Sequence, residues 1–380
     1  MNAYFDHNST TALKTEVLEA MLPFMAQQTG NATSNHSFGR AARTAVEQAR
    51  EQVAAAVGAY ANQIVFTASG TEANNFAVRG ICSGLDAGQI LTSAIEHPCV
   101  SRPALAMQTS GYKAHHIKVD ANCNINIAHL QKWLAVPTNL VSVMLANNET
   151  GAIQDITKIA GLAREHKAFV HTDAVQALGK IPVDFFALGV HAMTVSSHKI
   201  GGPLGAGALV LDKRIDIQPL LYGGGQERGL RSGTENVAAI VGFGKACELA
   251  TANLTAFDMH TNHLRQHLER GLAKLNAVIF GHNGLRIPNT SFFAFKHLDG
   301  DTLVTALDKA GFAVASGSAC SSNSGEPSHV LLAMGVEEDL AKGAVRVSFG
   351  MSNTLDQVQR FLKALEQEVK RLRNLSAIAA

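Results

Sequence analysis

From about Thr44 to Asp212 the chain alternates two kinds of apolar spacing. Val46, Ala49, Val53 and Val57 recur every three or four residues, which puts them on one face of a helix that ends at Gly58. Short β-rich runs follow: QIVF (Gln63–Phe66), QILTS (Gln89–Ser93), LVSVML (Leu140–Leu145), AFVHT (Ala168–Thr172), AMTVS (Ala192–Ser196) and GALVL (Gly207–Leu211). Amphipathic stretches such as Asp155–His166 separate several of them. This alternation predicts a mostly parallel sheet covered by helices. In such sheets ligands bind beyond the carboxyl ends of the strands, so the residues just after each run are the first to inspect.

The second half of the chain reads differently. A helical stretch from Glu235 to about Leu275 bridges to a smaller α+β unit. That unit contains the strand NTSFFAF (Asn289–Phe295), a helix closed by Gly311, a Ser/Gly-rich loop around Cys320 and the strand VRVSF (Val345–Phe349). A last helix carries Val358, Phe361, Leu362, Leu365, Val369 and Leu372 on one face, with Thr354 and Gln357 as a capping box. The expected division is a large domain over 14–256 and a small domain made of 1–13 and 257–380, the cysteine loop being a mobile tether over about 317–328. No internal repeat or low-complexity linker is seen.

Composition narrows the class. The 380 residues are 46% hydrophobic and 17% charged, with 33 glycines, as expected of an α/β protein rich in tight connections. A net charge of +1 favours neither nucleic acid nor a membrane surface as partner. The N-terminus MNAYFDHNSTTALK lacks the basic start and apolar centre of a signal peptide, and no apolar run is long enough to span a bilayer. Five scattered cysteines (Cys82, Cys99, Cys123, Cys247, Cys320) include no C-x-x-C pair, which argues for a reducing compartment and against a disulfide framework. The expectation is a cytoplasmic enzyme-sized globular protein. Cys320 stands apart, because its neighbours (SGSACSSNSGEPSHV) offer a thiol no apolar shelter.

Three constellations fall at strand ends. TASGTEANN (Thr67–Asn75) follows a strand and opens a helix, where Gly70 and Thr71 would offer amides to a phosphate. HTDAVQ (His171–Gln176) closes an apolar strand with Asp173, an acid that needs a cationic or protonated partner if buried. SSHKIGGPLGAG (Ser196–Gly207) puts Lys199 after a strand, beside Ser196 and His198. Singly, each has an ordinary explanation: a helix cap, a solvated turn acid, a loop lysine. Together they are the parts needed to hold pyridoxal phosphate, with a helix N-terminus for the phosphate, an acid for the pyridine nitrogen and a lysine for the Schiff base. His97, after the strand Gln89–Ser93, could stack on the ring and move protons. His115 and His116 read as solvated residues of a polar connection. Arg346, inside an apolar strand, suits either a substrate carboxylate or a structural salt bridge.

The series TASGTEANN, the EHP histidine, NNETG (Asn147–Gly151), HTDAVQ, SSHKIGGPLGAG, GGGQERGLRSGTEN (Gly223–Asn236), SGSACSSNSGEPSHVL and VRVSFG closely resembles the cysteine desulfurases, and the longer cysteine loop is similar to that of the NifS/IscS group. The likeness runs from YFDHNSTT (Tyr4–Thr11) to Gly350, nearly the whole chain. It implies a fold-type I pyridoxal-phosphate enzyme, with a mostly parallel sheet of the seven-stranded type and a smaller α+β domain. It implies that Lys199 carries the cofactor, Asp173 pairs with the pyridinium nitrogen, Gln176 contacts the ring hydroxyl and His97 stacks on the ring. Gly70, Thr71, Ser196 and His198 would bind the phosphate, with Thr234 reaching it from the other subunit of a homodimer. Asn148 and Arg346 would hold the carboxylate of the substrate, L-cysteine, and Cys320 would take its sulfur as a persulfide. The acceptor would be an iron–sulfur scaffold or another protein. Two departures stand out: Ser197, where glycine is the more common residue, and a short tail beyond Leu375. The other four cysteines read as structural.

Two further readings compete. A pyridoxal-phosphate aminotransferase or lyase would need Lys199 and Asp173 but not Cys320, and a non-catalytic relative that kept the fold would be colourless.

Overall fold

A computed structural model of the chain describes residues 2–317 and 326–379, with side chains up to Asn374. The expected loop at Cys320 therefore lies outside the described residues. Seven strands make the large sheet: β1 (Ile64–Thr67), β2 (Gln89–Ser93), β3 (Lys113–Ile117), β4 (Thr138–Ser142), β5 (Phe169–Asp173), β6 (Ala192–Ser196) and β7 (Gly207–Leu211). Their spatial order is β1-β7-β6-β5-β4-β2-β3. The pairs β2–β3, β2–β4, β4–β5 and β5–β6 are parallel, and β7 runs antiparallel to both β6 and β1. Every strand except β7 thus points the same way, and their carboxyl ends share one edge. Strands such as β6 and β7 are buried along their whole length, as a sheet covered on both faces requires.

Three expectations are corrected. The polar run KAHHI is the edge strand β3 and not a connection, although His116 is exposed as expected: among the described residues this strand pairs on one side, with β2. His115 stacks on Trp133 with centroids 4.0 Å apart, and His116 Nδ1 lies 2.9 Å from Thr92 Oγ1. The strand expected over Leu140–Leu145 spans Thr138–Ser142, although Val143 and Leu145 still donate to the β5 carbonyls of His171 and Asp173. The helical stretch Glu235–Leu275 is two helices, Val237–Ala252 and Leu254–Lys274, bent by 70° at Asn253. Asn253 Nδ2 donates to Leu249 O at 2.7 Å and so satisfies the end of the first helix. Among the described residues no single helix is long and apolar enough to cross a membrane.

A smaller antiparallel sheet joins β8 (Val278–Ile279), β9 (Thr290–Ala294), β10 (Ala315–Ser316) and β11 (Ala344–Ser348) in the order β10-β11-β9-β8. The N-terminal strand Ala3–Tyr4 runs parallel to Phe312–Ala313. Phe5 follows it into an apolar core shared with Phe349 and Phe361, whose rings lie 5.2 and 5.6 Å away. The final helix begins at the expected capping box: Thr354 N donates to Gln357 Oε1 at 3.0 Å, and Gln357 N to Thr354 Oγ1 at 3.3 Å.

The glycine-rich segment Gly223–Asn236 has little regular structure, and two ion pairs hold it to helices beside the large sheet, Arg231 with Glu72 and Glu227 with Arg50. Arg50 donates to both oxygens of Glu227, at 2.7 and 2.8 Å, and both side chains are buried. Glu227 also accepts from Phe66 N at 2.8 Å, across the start of β1. The backbone of Glu227 and Arg228 is left-handed (φ +47° and +60°), a strain this anchoring must offset. Removing one partner of a buried pair strands the other charge, so Glu227→Ala should lower stability to chemical denaturation by about 3 kcal/mol. Adding Arg50→Met should recover part of that loss; simple additivity in the double variant would show that the pair is not a unit.

Candidate active site

The carboxyl ends of the aligned strands deliver one polar group after another to the same edge. After β1, Ser69 caps the helix Gly70–Ser83 by accepting from Glu72 N at 3.1 Å, and Glu72 reaches back to Ala68 N at 2.9 Å. The amides of Gly70 and Thr71 open this helix and have no partner within it. A Cβ on Gly70 would stand 3.1 Å from Val175 Cγ2 and 3.3 Å from Ser196 Cβ, so a glycine lets this helix start close against the ends of β5 and β6.

After β2, His97 caps the helix Pro98–Ala106: its Nδ1 accepts from Cys99 N at 3.2 Å and lies 2.9 Å from Cys99 Sγ. A ring whose Nδ1 accepts a backbone amide carries its proton on Nε2 when neutral. Burial, with the charges of Lys199, His329 and Arg102, lowers the affinity of this ring for a second proton, while Asp173 opposes them. Cys99 is therefore no remote structural thiol. It touches His97, accepts from Asn74 Nδ2 at 3.0 Å and borders the site. Cys82, Cys123 and Cys247 are buried away from it, and burial pushes the first two thiols up to about 12.

After β4, Asn147 Oδ1 accepts from the amides of Glu149 and Thr150 and so folds NNETG into a tight turn. That turn leaves Asn148 at the edge, where its carbonyl accepts from Arg346 Nη1 at 2.9 Å. At the end of β5, Asp173 is 6% exposed; it accepts from Asn74 Nδ2 at 2.7 Å and from Val175 N at 2.9 Å. Both donors are neutral, and burial raises its affinity for a proton against the pull of His97 and Lys199. After β6, one 3-10 turn holds Ser197, His198 and Lys199. Lys199 Nζ donates to Asn8 O at 2.8 Å and to Ser9 O at 2.6 Å.

These groups surround one cavity of about 400 Å³. Gly70, Thr71, His97, Asn148, Asp173, Gln176, Ser196, His198, Lys199 and Arg346 all line it, from segments as much as 276 residues apart in sequence. Thr234 is exposed and does not line it, and Cys320 lies outside the described residues. Arg346 engages Asp6 at 2.7 Å and Ser9 Oγ at 2.8 Å, while its buried Nε has no hydrogen-bond partner among the described residues.

Several participants escaped sequence reasoning: Asp6, Asn8, Ser9, Asn74, Cys99 and Lys180. Asp6, Asn8 and Ser9 belong to YFDHNSTT and Asn74 to TASGTEANN, so the motifs contained them, but nothing in the residue types set them apart. The arrangement can bind an anion at the helix start, a cationic ring or amine beside Asp173 and a carboxylate near Arg346, with a lysine amine between them. Among the described residues no cluster of His, Cys, Asp and Glu could hold a metal ion.

Residues 3–361 match the family model of the class-V aminotransferases. The chain is 41% identical over 377 residues to a cysteine desulfurase IscS of Dictyoglomus turgidum, covering 98% of this chain and 96% of that one. It is 42% identical over 385 residues to a cysteine desulfurase of Gluconacetobacter diazotrophicus, covering 99% and 96%. A solved NifS-like protein superposes with a TM-score of 0.92 at 37% identity, over 97% of this chain and 100% of the other. The chain thus belongs to the class-V aminotransferase family of α/β enzymes. Within it, the chain is a member of the cysteine desulfurases.

Glu96, just before His97, is fully buried: one oxygen accepts from Ser93 Oγ and from Met144 N, and the other has no partner among the described residues. Burial raises its carboxyl from 4.5 to about 8. The folded chain then holds a proton that the unfolded chain releases, so stability is full below about pH 4.5 and is lost as pH climbs toward 8. Glu96→Gln should remove a loss of roughly 2–4 kcal/mol between pH 5 and pH 8, measured by denaturant unfolding. A variant with the wild-type pH slope would mean that Glu96 is ionised in the fold.

Proposed function

We propose that this protein is a pyridoxal-phosphate-dependent cysteine desulfurase that removes sulfur from L-cysteine and releases L-alanine. One observation carries the reading: a lysine, a buried acid that accepts from two neutral donors, a capping histidine and an open helix start converge on a single cavity. The residues fit the cofactor. The amides of Gly70 and Thr71, with Ser196 and His198, suit its phosphate. Asp173, raised by burial and bonded among the described residues to neutral donors, suits a protonated ring nitrogen. His97 suits stacking on the ring and Gln176 suits the ring hydroxyl. Pyridoxal phosphate supplies an aldehyde for the amine of the substrate and a protonated ring that withdraws electrons from its Cα.

The chain supplies the rest. Lys199 Nζ would hold the cofactor aldehyde, and its amine is the group placed to take and return the proton at the substrate Cα. Arg346 and Asn148 orient the substrate carboxylate, with Asp6 holding the guanidinium in place. His97, neutral with its proton on Nε2, can donate and recover a proton at the cavity face of its ring. The Cys320 thiolate would attack the substrate sulfur; as the S–S bond forms the S–Cβ bond breaks, its electron pair stays with the three-carbon unit, which takes up a proton at Cβ on the way to alanine, and a persulfide is left on Cys320. The membership supports a persulfide acceptor such as an iron–sulfur scaffold, and a homodimer in which Thr234 completes the phosphate site across the interface. A cytoplasmic setting agrees with reduced, scattered thiols. A large domain over 14–256 and a small domain of 1–13 with 257–380 is favoured by a second apolar core drawn only from Ala3, Phe5 and residues between Leu264 and Leu372.

Incubation with L-cysteine and a reductant should give alanine and sulfide in equal amounts, and Lys199→Ala and Cys320→Ser should each abolish both. Alanine formed at the wild-type rate by Cys320→Ser would overturn the persulfide step, and no turnover of cysteine by the wild type would overturn the activity.

A further inference from the structure

Lys180 lies behind the cavity, 3% exposed, and has no carboxylate partner among the described residues. Burial, together with the nearby charges of Lys199 and Arg346, pushes it well below the ordinary lysine range. An unpaired buried amine is costly, and the activity proposed above gives it no task.

Its contacts suggest one. Lys180 Nζ donates to Gln176 Oε1 at 2.5 Å and to Asn8 Oδ1 at 2.8 Å. Gln176 Nε2 donates to Asn8 O at 2.9 Å. Turning this amide over would set Oε1 against the Asn8 carbonyl, two acceptors face to face, and would take from Lys180 the acceptor it now holds. The orientation is therefore forced. One N–H of Nε2 serves Asn8, and the second is left for the cavity that Gln176 lines. The same amine orders the next amide. Asn8 Oδ1 accepts from Lys180 and from Asn289 Nδ2 at 3.1 Å, so Asn8 Nδ2 donates to Asn148 O at 3.2 Å and to Thr290 Oγ1 at 2.8 Å.

We infer that Lys180 is a positioning residue that fixes the polarity of Gln176, so that the cavity meets an N–H there and binds a ligand oxygen anion opposite it. The inference deepens the proposed function, on which it rests for the identity of that ligand, the ring oxygen of pyridoxal phosphate.

Titration with pyridoxal phosphate, followed by its visible absorption, tests this in wild type, Lys180→Met, Gln176→Ala and the double variant. Each single change should weaken binding about tenfold, and Lys180→Met should add less than about twofold in the Gln176→Ala background. Full additivity, or wild-type affinity in Lys180→Met, would overturn the inference while leaving the activity standing. A wild type that binds no pyridoxal phosphate would overturn both. Gln176→Glu covers the case in which Lys180→Met does not fold. Its carboxylate keeps Lys180 paired but presents acceptors to both Asn8 O and the cavity, so binding should fall at least about tenfold in a variant whose far-ultraviolet circular dichroism shows the wild-type fold. Wild-type affinity in Gln176→Glu would also overturn the inference.

Discussion

Asn8 is the joint on which the site depends. Its backbone amide donates to Ser348 Oγ in the small sheet at 2.9 Å, and its side chain bonds Asn289 and Thr290 beside β9. Its carbonyl accepts from Lys199 and Gln176 at the edge of the large sheet, and its Oδ1 accepts from Lys180. One residue in an irregular N-terminal segment thus ties the strand that carries Arg346 to the strand ends that carry Lys199 and Gln176. In a buried network every member must be satisfied, so the position of each of these groups constrains the others.

The large sheet sets this up through strand direction. With every strand except β7 pointing one way, the helix start at Gly70, the histidine cap at His97, the Asn148 turn, Asp173 and the Lys199 turn reach the same edge. None of these features specifies a ligand alone. Their convergence on a cavity of about 400 Å³ changes the meaning of each, because a buried acid with neutral donors and an adjacent lysine together ask for a ligand that is cationic and electrophilic.

What was legible in the sequence is what is local. Strands β2, β6 and β7 coincide with their apolar runs, and Asp173 and Lys199 stand where a strand pattern stops. What was hidden depends on pairing at a distance. The partners of Asn8 lie up to 340 residues away, so no pattern within a window could mark it. Nothing local marks Lys180, since one of its two partners, Asn8, lies 172 residues away. The edge strand β3 has an exposed side and lacks the apolar run of its neighbours, and the break at Asn253 interrupts a helical pattern without glycine or proline. Cys99 read as a structural thiol because its contact with His97 arises from the cap geometry and not from residue type.

The central claim is that the cavity holds pyridoxal phosphate on Lys199. Two amines, half-buried Lys199 and buried Lys180, bond to Asn8, and of the two Lys199 lines the site cavity with Asp173. Borohydride reduction of the cofactor-loaded protein, followed by peptide mass spectrometry, distinguishes them directly. The account predicts loss of the visible band and a single pyridoxyl-modified peptide bearing the group on Lys199. Modification at Lys180 or at another lysine, or no modification, would contradict it.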